Sequence, residues 1–341
     1  MDLTGKTLLV TGATGSFGTA FMRTVLERYD VEAIRAFSRD ELKQSELART
    51  LSDPRIRLLI GDVRDRDRLR MATRGVDVIV HAAALKQVPA CEYNPFEAVQ
   101  TNVVGAENVI SAAIDNDVPL TIALSTDKAV NPVNLYGATK LCAEKIVSQA
   151  NVYAAGTRAK FASVRYGNVV GSRGSVIPIF KQQARTGTIT ITDERMTRFW
   201  ITLPEAVEFV LSCMPLVQGG ETFVPKIPSM RLMDMAAVLA PEAERKIVGI
   251  RPGEKLHEVL VTEDEARHCY DFGDRYVILP QLPTWHMDAP TRGEPLPDGF
   301  RYSSDSNEQW LSEDELRDMA EALPPGRREA DRRAASPGWE A

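Results

Sequence analysis

One short segment of the sequence holds an acid, two amines and a phenol, which are side chains able to transfer protons. Asp127 and Lys128 are adjacent, and Tyr136 and Lys140 follow closely. Tyr136 and Lys140 are four residues apart, so in a helix they lie on one face. The positive charge of Lys140 should lower the pKa of the Tyr136 phenol, which could then act as a base nearer neutral pH. Helices also carry such pairs by chance, so the pair gains meaning only from its surroundings.

An apolar run just before this segment predicts the element that positions it. The run Leu120–Leu124 is typical of a buried strand. In an open α/β sheet, ligands bind at the carboxyl ends of the strands. We therefore predict a site at Thr126, Asp127 and Lys128. The alternative for Asp127 and Lys128 is a surface turn with a local salt bridge.

A glycine-rich turn near the amino terminus predicts a dinucleotide site. It lies between an apolar run at 6–10 and a helix-like stretch that continues to about Tyr29, with G-x-x-G-x-x-G spacing. Strand, glycine turn and helix together are the context in which such glycines bind a pyrophosphate. The alternative is a turn that only connects the two elements. The predicted cofactor contacts here are Gly12, Thr14, Gly15, Ser16, Phe17 and Gly18.

The end of the second predicted strand, residues 33–37, indicates which dinucleotide binds. A site for NAD usually has a carboxylate here for the ribose hydroxyls. Here Ser38 and Arg39 come first and Lys43 follows, and a hydroxyl with two cations suits a 2′-phosphate. We therefore predict NADP. Asp40 and its neighbour leave open the alternative of a solvated helix start.

Later strand ends supply the remaining cofactor contacts that we predict. Asp62 follows a third apolar run and is placed to meet an adenine amino group. The run 78–84 predicts another buried strand that ends in small residues, which let a cofactor lie close, and we interpret His81 as a packed strand residue. The further predicted contacts are Asp62, Val63, Ala82, Ala83, Ala84 and Asn102, together with Tyr136 and Lys140.

Taken together, these motifs resemble those of a known family. The stretch from residue 6 to about 260 resembles the extended short-chain dehydrogenases/reductases, and within them the soluble, C5-inverting UDP-N-acetylglucosamine 4,6-dehydratases. In related dehydratases that act on nucleotide-activated glucose or mannose, glutamate generally stands in place of Lys128. The matching segments are 11–18, 37–41, 81–89, 126–129, 136–140, 165–169, 196–199 and 251–255.

The resemblance implies a redox-neutral elimination in which each catalytic residue has a task. Tyr136 would take the proton of the 4-hydroxyl while C4 is oxidised, Lys140 would hold the cofactor ribose, and Thr126 would hydrogen-bond O4. The resulting ketone acidifies the C5 proton, which a partly neutral Lys128 would remove. Asp127, kept protonated, would donate to the departing 6-hydroxyl. The product, a 4-keto-6-deoxy sugar nucleotide of L-arabino configuration, would serve glycans of the pseudaminic acid or N-acetyl-L-fucosamine type.

The same resemblance assigns the substrate side. Arg198 and Arg251 are expected to bind the diphosphate, because guanidinium groups match phosphate oxygens. Glu254 would accept hydrogen bonds from the uridine ribose, and the glycine-rich segment 171–178 is typical of a loop that wraps a ligand. The predicted substrate contacts are Lys86, Asn168, Ser175, Val176, Arg198, Arg251 and Glu254.

Composition narrows the class of protein. The chain has 341 residues, a formal net charge of -6 and no basic stripe, which argues against a nucleic-acid partner. Its four cysteines lack C-x-x-C spacing, so reduced thiols are expected, and we predict no metal site. Neither a secretory signal nor an apolar run of ~18 residues is present, which predicts a cytoplasmic protein without a membrane partner. A homo-oligomer is expected from the resemblance.

We predict an α/β fold with a Rossmann-like, doubly wound parallel sheet and a smaller, discontinuous substrate-binding domain. Residues 1–170 would form the NADP-binding domain, with a return of the chain near 200–225. Residues 171–322 would mainly bind the UDP-sugar, and 323–341 would form a disordered tail.

Three other functions fit part of the sequence. A C5-retaining dehydratase would use the same residues, because Lys128 does not fix the face from which C5 is reprotonated. A UDP-sugar 4-epimerase needs Tyr136 but has no use for an acid–base pair at Asp127 and Lys128. A non-catalytic sensor of NADP or sugar nucleotides would keep the fold without the reaction.

Overall fold

A large mixed sheet dominates this computed structural model, which describes residues 1–171, 176–281 and 292–322. The strands are β1 (Thr7–Thr11), β2 (Ala33–Ser38), β3 (Ile56–Ile60), β4 (Val78–His81), β5 (Leu120–Leu124), β6 (Lys160–Val164), β7 (Asn168–Val169), β8 (Thr188–Ile191), β9 (Thr197–Ile201), β10 (Thr222–Pro225), β11 (Ser229–Arg231), β12 (Glu244–Ile247), β13 (Val259–Val261), β14 (Cys269–Asp271), β15 (Arg275–Ile278), β16 (Glu294–Pro295) and β17 (Tyr302–Ser303). The helices are α1 (Ser16–Arg28), α2 (Glu41–Thr50), α3 (Arg66–Ala72), α4 (Val88–Tyr93), α5 (Pro95–Val99), α6 (Gly105–Asp115), α7 (Leu135–Tyr153), α8 (Val176–Ala184), α9 (Leu203–Cys213), α10 (Leu232–Leu239), α11 (Glu263–Ala266) and α12 (Glu313–Glu321).

The sheet has the doubly wound topology that the sequence predicts. From one edge its strands run in the order β3-β2-β1-β4-β5-β6-β10, and every neighbouring pair among them is parallel. The strand order reverses between β1 and β4, and such switch points are where open α/β sheets bind ligands. Strands β15, β14 and β16 continue the sheet in antiparallel pairs. The predicted α/β, Rossmann-like fold is confirmed.

The register brings the carboxyl ends of three strands to one edge of the sheet. Thr11 of β1 pairs with His81 of β4, and His81 pairs in turn with Ala123 of β5. Strands β1 and β4 are buried along their whole length, as expected for parallel strands covered on both faces. The glycine turn, the alanines after β4 and the acid–base segment after β5 therefore begin side by side.

The chain after β6 contributes to two parts of the molecule. Strands β7, β9 and β11 form a small sheet, and β8 pairs with β12 as β13 does with β17. Helix α9 packs against α1, and β10, β14 and β15 belong to the large sheet. The range 171–322 is thus divided between the large sheet and a smaller part of the molecule, which is built around the three small sheets. The segment 323–341, predicted to be a disordered tail, lies outside the described residues.

Two local features follow directly from the sequence. Ser312 caps α12, and its side chain and that of Glu315 bond each other's backbone N–H groups in a capping box. In the described ranges, none of the helices combines the length and apolar character needed to cross a membrane.

Candidate active site

The carboxyl edge of the large sheet borders a cleft of about 820 Å³, which also reaches the smaller part of the molecule. Most of the predicted site residues line this cleft. They are Gly12, Thr14, Gly15, Ser16, Phe17, Gly18, Ser38, Arg39, Lys43, Val63, Ala82, Ala83, Ala84, Lys86, Thr126, Lys128, Tyr136, Lys140, Asn168, Val176, Arg198, Arg251 and Glu254. One cleft therefore combines the predicted cofactor, catalytic and substrate residues.

Four predicted residues are not among those that line the cleft. Ser175 lies outside the described residues. Asp62 forms ion pairs with Arg64 at 2.7 Å and with Arg39 at 3.6 Å. The Asn102 side chain bonds the backbone N–H and carbonyl of Leu85 at 2.8 and 2.9 Å. Asp127 is fully buried beside the cleft. The contacts of Asp62 and Asn102 with a cofactor stay predictions.

The glycine turn after β1 packs so closely against its surroundings that Gly12 and Gly18 cannot carry side chains without a clash. Gly12 has a φ of 66°, and a Cβ there would lie 2.8 Å from the backbone nitrogen of Ala83. A Cβ on Gly18 would lie 2.7 Å from the Cα of Ala13. Helix α1 begins at Ser16 and its N-cap, Gly15, supplies no side-chain cap, so the first N–H groups of the helix are left for an anion at the cleft edge. This cradle fits the pyrophosphate of a dinucleotide.

Residues at the end of β2 and the start of α2 line the cleft, and two of them also bond each other. The Asp40 side chain caps α2 by accepting from the Lys43 N–H, and the Lys43 ammonium lies 2.6 Å from the same carboxylate. Hydrogen bonds from Lys43 hold the pKa of Asp40 below its ordinary value. Asp40 is thereby engaged as a helix cap, and it borders the cleft together with Ser38, Arg39 and Lys43.

The acid–base segment forms a compact hydrogen-bonded group. Asp127–Ala129 is a turn of 3-10 helix. The Thr126 hydroxyl donates to Asp127 Oδ1 at 2.8 Å, and Lys128 Nζ donates to the same oxygen at 2.9 Å. Asp127 Oδ2 is buried and has no hydrogen-bond partner among the described residues. Lys128 Nζ also donates to Asn168 Oδ1 at 3.3 Å.

The charge states of this pair differ from those that the sequence predicts. Burial would raise the pKa of Asp127, but the Lys128 charge and hydrogen bonds from Lys128 and Thr126 outweigh it and lower the pKa. Burial would lower the pKa of Lys128, but the charges of Asp127 and Glu258 raise it above its ordinary value. The predictions of a protonated Asp127 and a partly neutral Lys128 are therefore wrong for the free protein. The two side chains form an ion pair in which Asp127 is fully buried and Lys128 is partly exposed to the cleft.

Tyr136 and Lys140 lie in the first turns of α7, and Asn134 caps this helix by accepting from the Gly137 N–H at 2.8 Å. Burial raises the pKa of Tyr136 to about 12, against the opposing charge of Lys128 and a hydrogen bond with Thr126. Lys140 Nζ donates to the Leu124 carbonyl at 2.6 Å, and burial lowers the pKa of Lys140 to about 8. The net shift of the phenol pKa is therefore opposite to the predicted lowering, because burial outweighs the nearby positive charge.

His81 is a packed strand residue, as predicted. It is 4% exposed, and its Nδ1 lies 2.8 Å from Thr11 Oγ1. Burial and the charge of Lys140 lower the pKa of His81 to about 3, so the ring stays neutral.

The predicted diphosphate arginines have different surroundings. Arg198 is buried, and its terminal N–H groups donate to the carbonyls of Thr197, Leu256 and Lys255 and to the Met196 sulfur. It would have to exchange these partners to bind a diphosphate, so that role stays a prediction. Arg251 is exposed and lies 3.8 Å from Glu254, with both side chains at the cleft.

Two residues at the site were missed by sequence reasoning. Lys255 Nζ donates to the carbonyl of Asp127 at 3.2 Å, and Glu258 lies 3.5 Å from Lys128 Nζ. Lys255 ends the matching segment 251–255 and Glu258 follows it closely, but nothing in their spacing shows that they meet a turn more than a hundred residues earlier. Only the fold brings these charges together.

Comparison with known proteins places the chain in a family. Residues 8–280 match a family model described as polysaccharide biosynthesis protein. The chain belongs to this family. Among curated relatives, it is 49% identical over 324 residues to a UDP-N-acetylglucosamine 4,6-dehydratase (inverting) of Campylobacter jejuni strain 81-176, covering 92% of this chain and 97% of that protein.

Two further comparisons bear on this member of the polysaccharide biosynthesis family. It is 43% identical over 281 residues to a UDP-glucose 4-epimerase of Rickettsia canadensis strain McKiel, covering 80% of this chain and 82% of that protein. The X-ray structure of Pen from Bacillus thuringiensis is similar with a TM-score of 0.86 at 37% identity. That match covers 95% of this chain and 100% of the other.

Proposed function

We propose that this protein is a UDP-N-acetylglucosamine 4,6-dehydratase that inverts C5 and uses NADP. The observation that carries the proposal is the ion pair between the fully buried Asp127 and the partly exposed Lys128, at a cleft that Lys128, Tyr136 and Lys140 line. The similarity to the Campylobacter protein supports the same substrate and reaction. An oxidation at C4 needs Tyr136 and Lys140, whereas the elimination of water needs an acid and a base in addition.

The first step is oxidation at C4 of the sugar. When bound, a nicotinamide would supply the oxidant, because it can accept two electrons with a proton from C4 and give them back at C6. Tyr136 removes the proton of the 4-hydroxyl, and Thr126 hydrogen-bonds O4. Lys140 holds the ribose of the cofactor by exchanging its bond to Leu124. Because burial holds the pKa of Tyr136 at about 12, positive charge brought by the cofactor would favour the phenolate.

The elimination begins with a proton transfer inside the ion pair. Lys128 Nζ and Asp127 Oδ1 are 2.9 Å apart, so the proton can pass between them directly. When substrate excludes water, a neutral amine and acid avoid the desolvation cost of two buried charges. The transfer creates the base and the acid together. Lys128 then takes the C5 proton, the 6-hydroxyl leaves as water with the Asp127 proton, and the ion pair is restored.

The geometry also limits how the acid acts. Asp127 is fully buried, and Oδ2 is its oxygen without a hydrogen-bond partner among the described residues. We infer that the 6-hydroxyl reaches the Asp127 carboxyl between Thr126 and Lys128, which do line the cleft. Return to C6 of the two electrons together with the proton taken from C4 would then form the methyl group. Inversion requires that C5 receive its new proton from the opposite face.

Proton NMR of UDP-N-acetylglucosamine with the purified protein in deuterated water tests this function. A C6 methyl signal, deuterium at C5 and L-arabino couplings are the expected result. D-xylo couplings would keep dehydration and refute inversion. Unchanged substrate would refute the proposed activity on this sugar and favour a sensor, which would bind NADP and the UDP-sugar without making product.

A UDP-sugar 4-epimerase is the second candidate, because the Rickettsia relative carries that name. The same experiment separates the two functions. An epimerase would yield the C4 epimer without a C6 methyl group, and it would not exchange the C5 proton.

The choice of NADP leads to a prediction about Arg39. Arg39→Asp should weaken NADP binding by about tenfold or more relative to NAD, because one charge-assisted contact with the 2′-phosphate is lost. Isothermal titration with each cofactor measures both affinities. Arg64→Asp is the matched control, since Arg64 also pairs with Asp62 but does not line the cleft. Equal losses for NADP and NAD in Arg39→Asp would contradict the assignment.

The start of α7 leads to a prediction about Gly137. A Cβ on Gly137 would lie 2.0 Å from the backbone oxygen of Lys128. Gly137→Ala should therefore displace the Asp127–Ala129 turn and lower kcat at least about 100-fold, since catalytic groups tolerate little misplacement. Gly156→Ala is the control, because its φ of 86° adds backbone strain while no atom lies within 4 Å. Wild-type kcat in Gly137→Ala would show that this contact does not fix the turn.

Homo-oligomerisation remains a proposal that rests on the resemblance alone.

A further inference from the structure

Glu258 is a buried carboxylate among three cations at the wall of the cleft. Its Oε1 lies 3.5 Å from Lys128 Nζ and 3.9 Å from Arg198 Nε, and its Oε2 lies 3.4 Å from Lys255 Nζ. Oε2 accepts no hydrogen bond within the described part of the chain. A buried carboxylate is costly unless other groups compensate it, so the ammonium and guanidinium charges must do so here.

The backbone around Glu258 is held firmly. Its N–H donates to Ser304 Oγ at 2.9 Å, and its carbonyl accepts from the Ser304 N–H at 2.8 Å. These bonds lie where β13 and β17 pair. The backbone from which the Glu258 side chain extends toward Lys128 is therefore fixed.

A second contact joins the same segment to the acid–base turn. Lys255 Nζ donates to the carbonyls of Asp127 and Val130, while Arg198 donates to the carbonyls of Lys255 and Leu256. The segment that begins at Arg251 thus contacts the acid–base turn through Lys255 and Glu258. It also carries the predicted UDP contacts at its other end.

We propose, building on the function above, that Glu258 is a positioning residue that holds the Lys128 ammonium beside Asp127 and sets the charge which this pair carries. With Glu258 present, the cations of Lys128, Arg198 and Lys255 face two carboxylates, those of Asp127 and Glu258. Without it they face Asp127 alone, which favours loss of a proton from the pair. The charged or titratable side chains that face the pair are Tyr136, Arg198, Lys255 and Glu258.

The pH dependence of the reaction tests this role. The active pair shares one proton, so activity falls when the pair gains a second proton in acid or loses its proton in alkali. Glu258→Gln should shift both limbs of the pH–rate profile to lower pH by about one unit or more. An opposite charge as close as Glu258 is to Lys128, 3.5 Å, shifts a pKa by about that much. It should also lower kcat about tenfold with little change in KM, since Glu258 lies apart from the predicted UDP contacts.

Two further variants make the test independent of one mutant's folding. Lys255→Gln removes a cation near Asp127 and should move both limbs upward, opposite to Glu258→Gln. Glu221→Gln is the matched control, because Glu221 is a buried carboxylate that bonds the N–H groups of Gln218 and Gly219 and does not line the cleft. The pH–rate profile of Glu221→Gln should keep both limbs at their wild-type pH. Reduced rates with unmoved limbs in both test variants would reduce Glu258 to a structural role and overturn the proposal.

A titration without substrate separates this proposal from the proposed function. In protein labelled with 13C at the lysine ε carbon, the Lys128 signal is identified by its loss in Lys128→Ala. In Glu258→Gln this signal should begin to report loss of a proton from the Lys128 amine at lower pH than in the wild type. That result with no dehydratase activity would refute the function and keep the role of Glu258. An unchanged Lys128 titration would overturn the role even in an active enzyme.

Discussion

Lys128→Ala is expected to abolish dehydration while NADP binding stays intact. The variant loses the amine that removes the C5 proton, and general bases contribute about 10² to 10⁴ in rate. Oxidation at C4 precedes that step and uses Tyr136, so reduced cofactor should accumulate when UDP-N-acetylglucosamine is added. The measurements are formation of the C6 methyl group, deuterium uptake at C5 and cofactor absorbance.

Two companion variants separate the base from the salt bridge. Lys128→Arg keeps a positive charge beside Asp127, but a guanidinium is too weakly acidic to yield a free base, so it should be nearly as inactive as the alanine variant. Lys145→Ala removes an exposed lysine of α7 and should leave the rate unchanged. A fully active Lys128→Ala would overturn the mechanism, and an active Lys128→Arg would reduce Lys128 to an electrostatic role.

Tyr136→Phe is expected to stop the reaction at C4 oxidation, a step earlier than Lys128→Ala does. Without the phenol no group removes the 4-hydroxyl proton, so we expect at least about a 10²-fold lower rate of C4 oxidation. The C5 proton then never becomes acidic, and deuterium should not enter C5. Phenylalanine keeps the packing of the ring against Cys91 and Ala98, so the fold should persist. Single-turnover absorbance of the cofactor and NMR of the sugar measure both steps.

The contrast between the two variants is itself a test. Lys128→Ala should accumulate reduced cofactor and Tyr136→Phe should not. Tyr153→Phe is the matched control, because Tyr153 is exposed at the end of the same helix. Accumulation of reduced cofactor in Tyr136→Phe would show that another group removes the 4-hydroxyl proton.

Much of the large sheet could be predicted from local patterns. The strand Leu120–Leu124 is placed without error, and the strand before the glycine turn is shifted by one residue. Short apolar runs followed by turn residues report a buried parallel strand, because both faces of such a strand must be apolar. Later strands such as β14 and β15 were not predicted. These two strands pair with each other across residues 272–274, but they hold only three and four residues, which is too few for a clear apolar pattern.

The residue types of the site could be predicted, but not their electrostatics. By itself the sequence determined the fold class, the glycine cradle and the presence of Asp127, Lys128, Tyr136 and Lys140, because spacing and strand ends are local properties. Only the tertiary structure decided that Asp127 and Lys128 form an ion pair and that burial controls the pKa of Tyr136. Both depend on which charges surround a group and how far water is excluded. That information arises only when distant segments, such as the one carrying Glu258, pack against the acid–base turn.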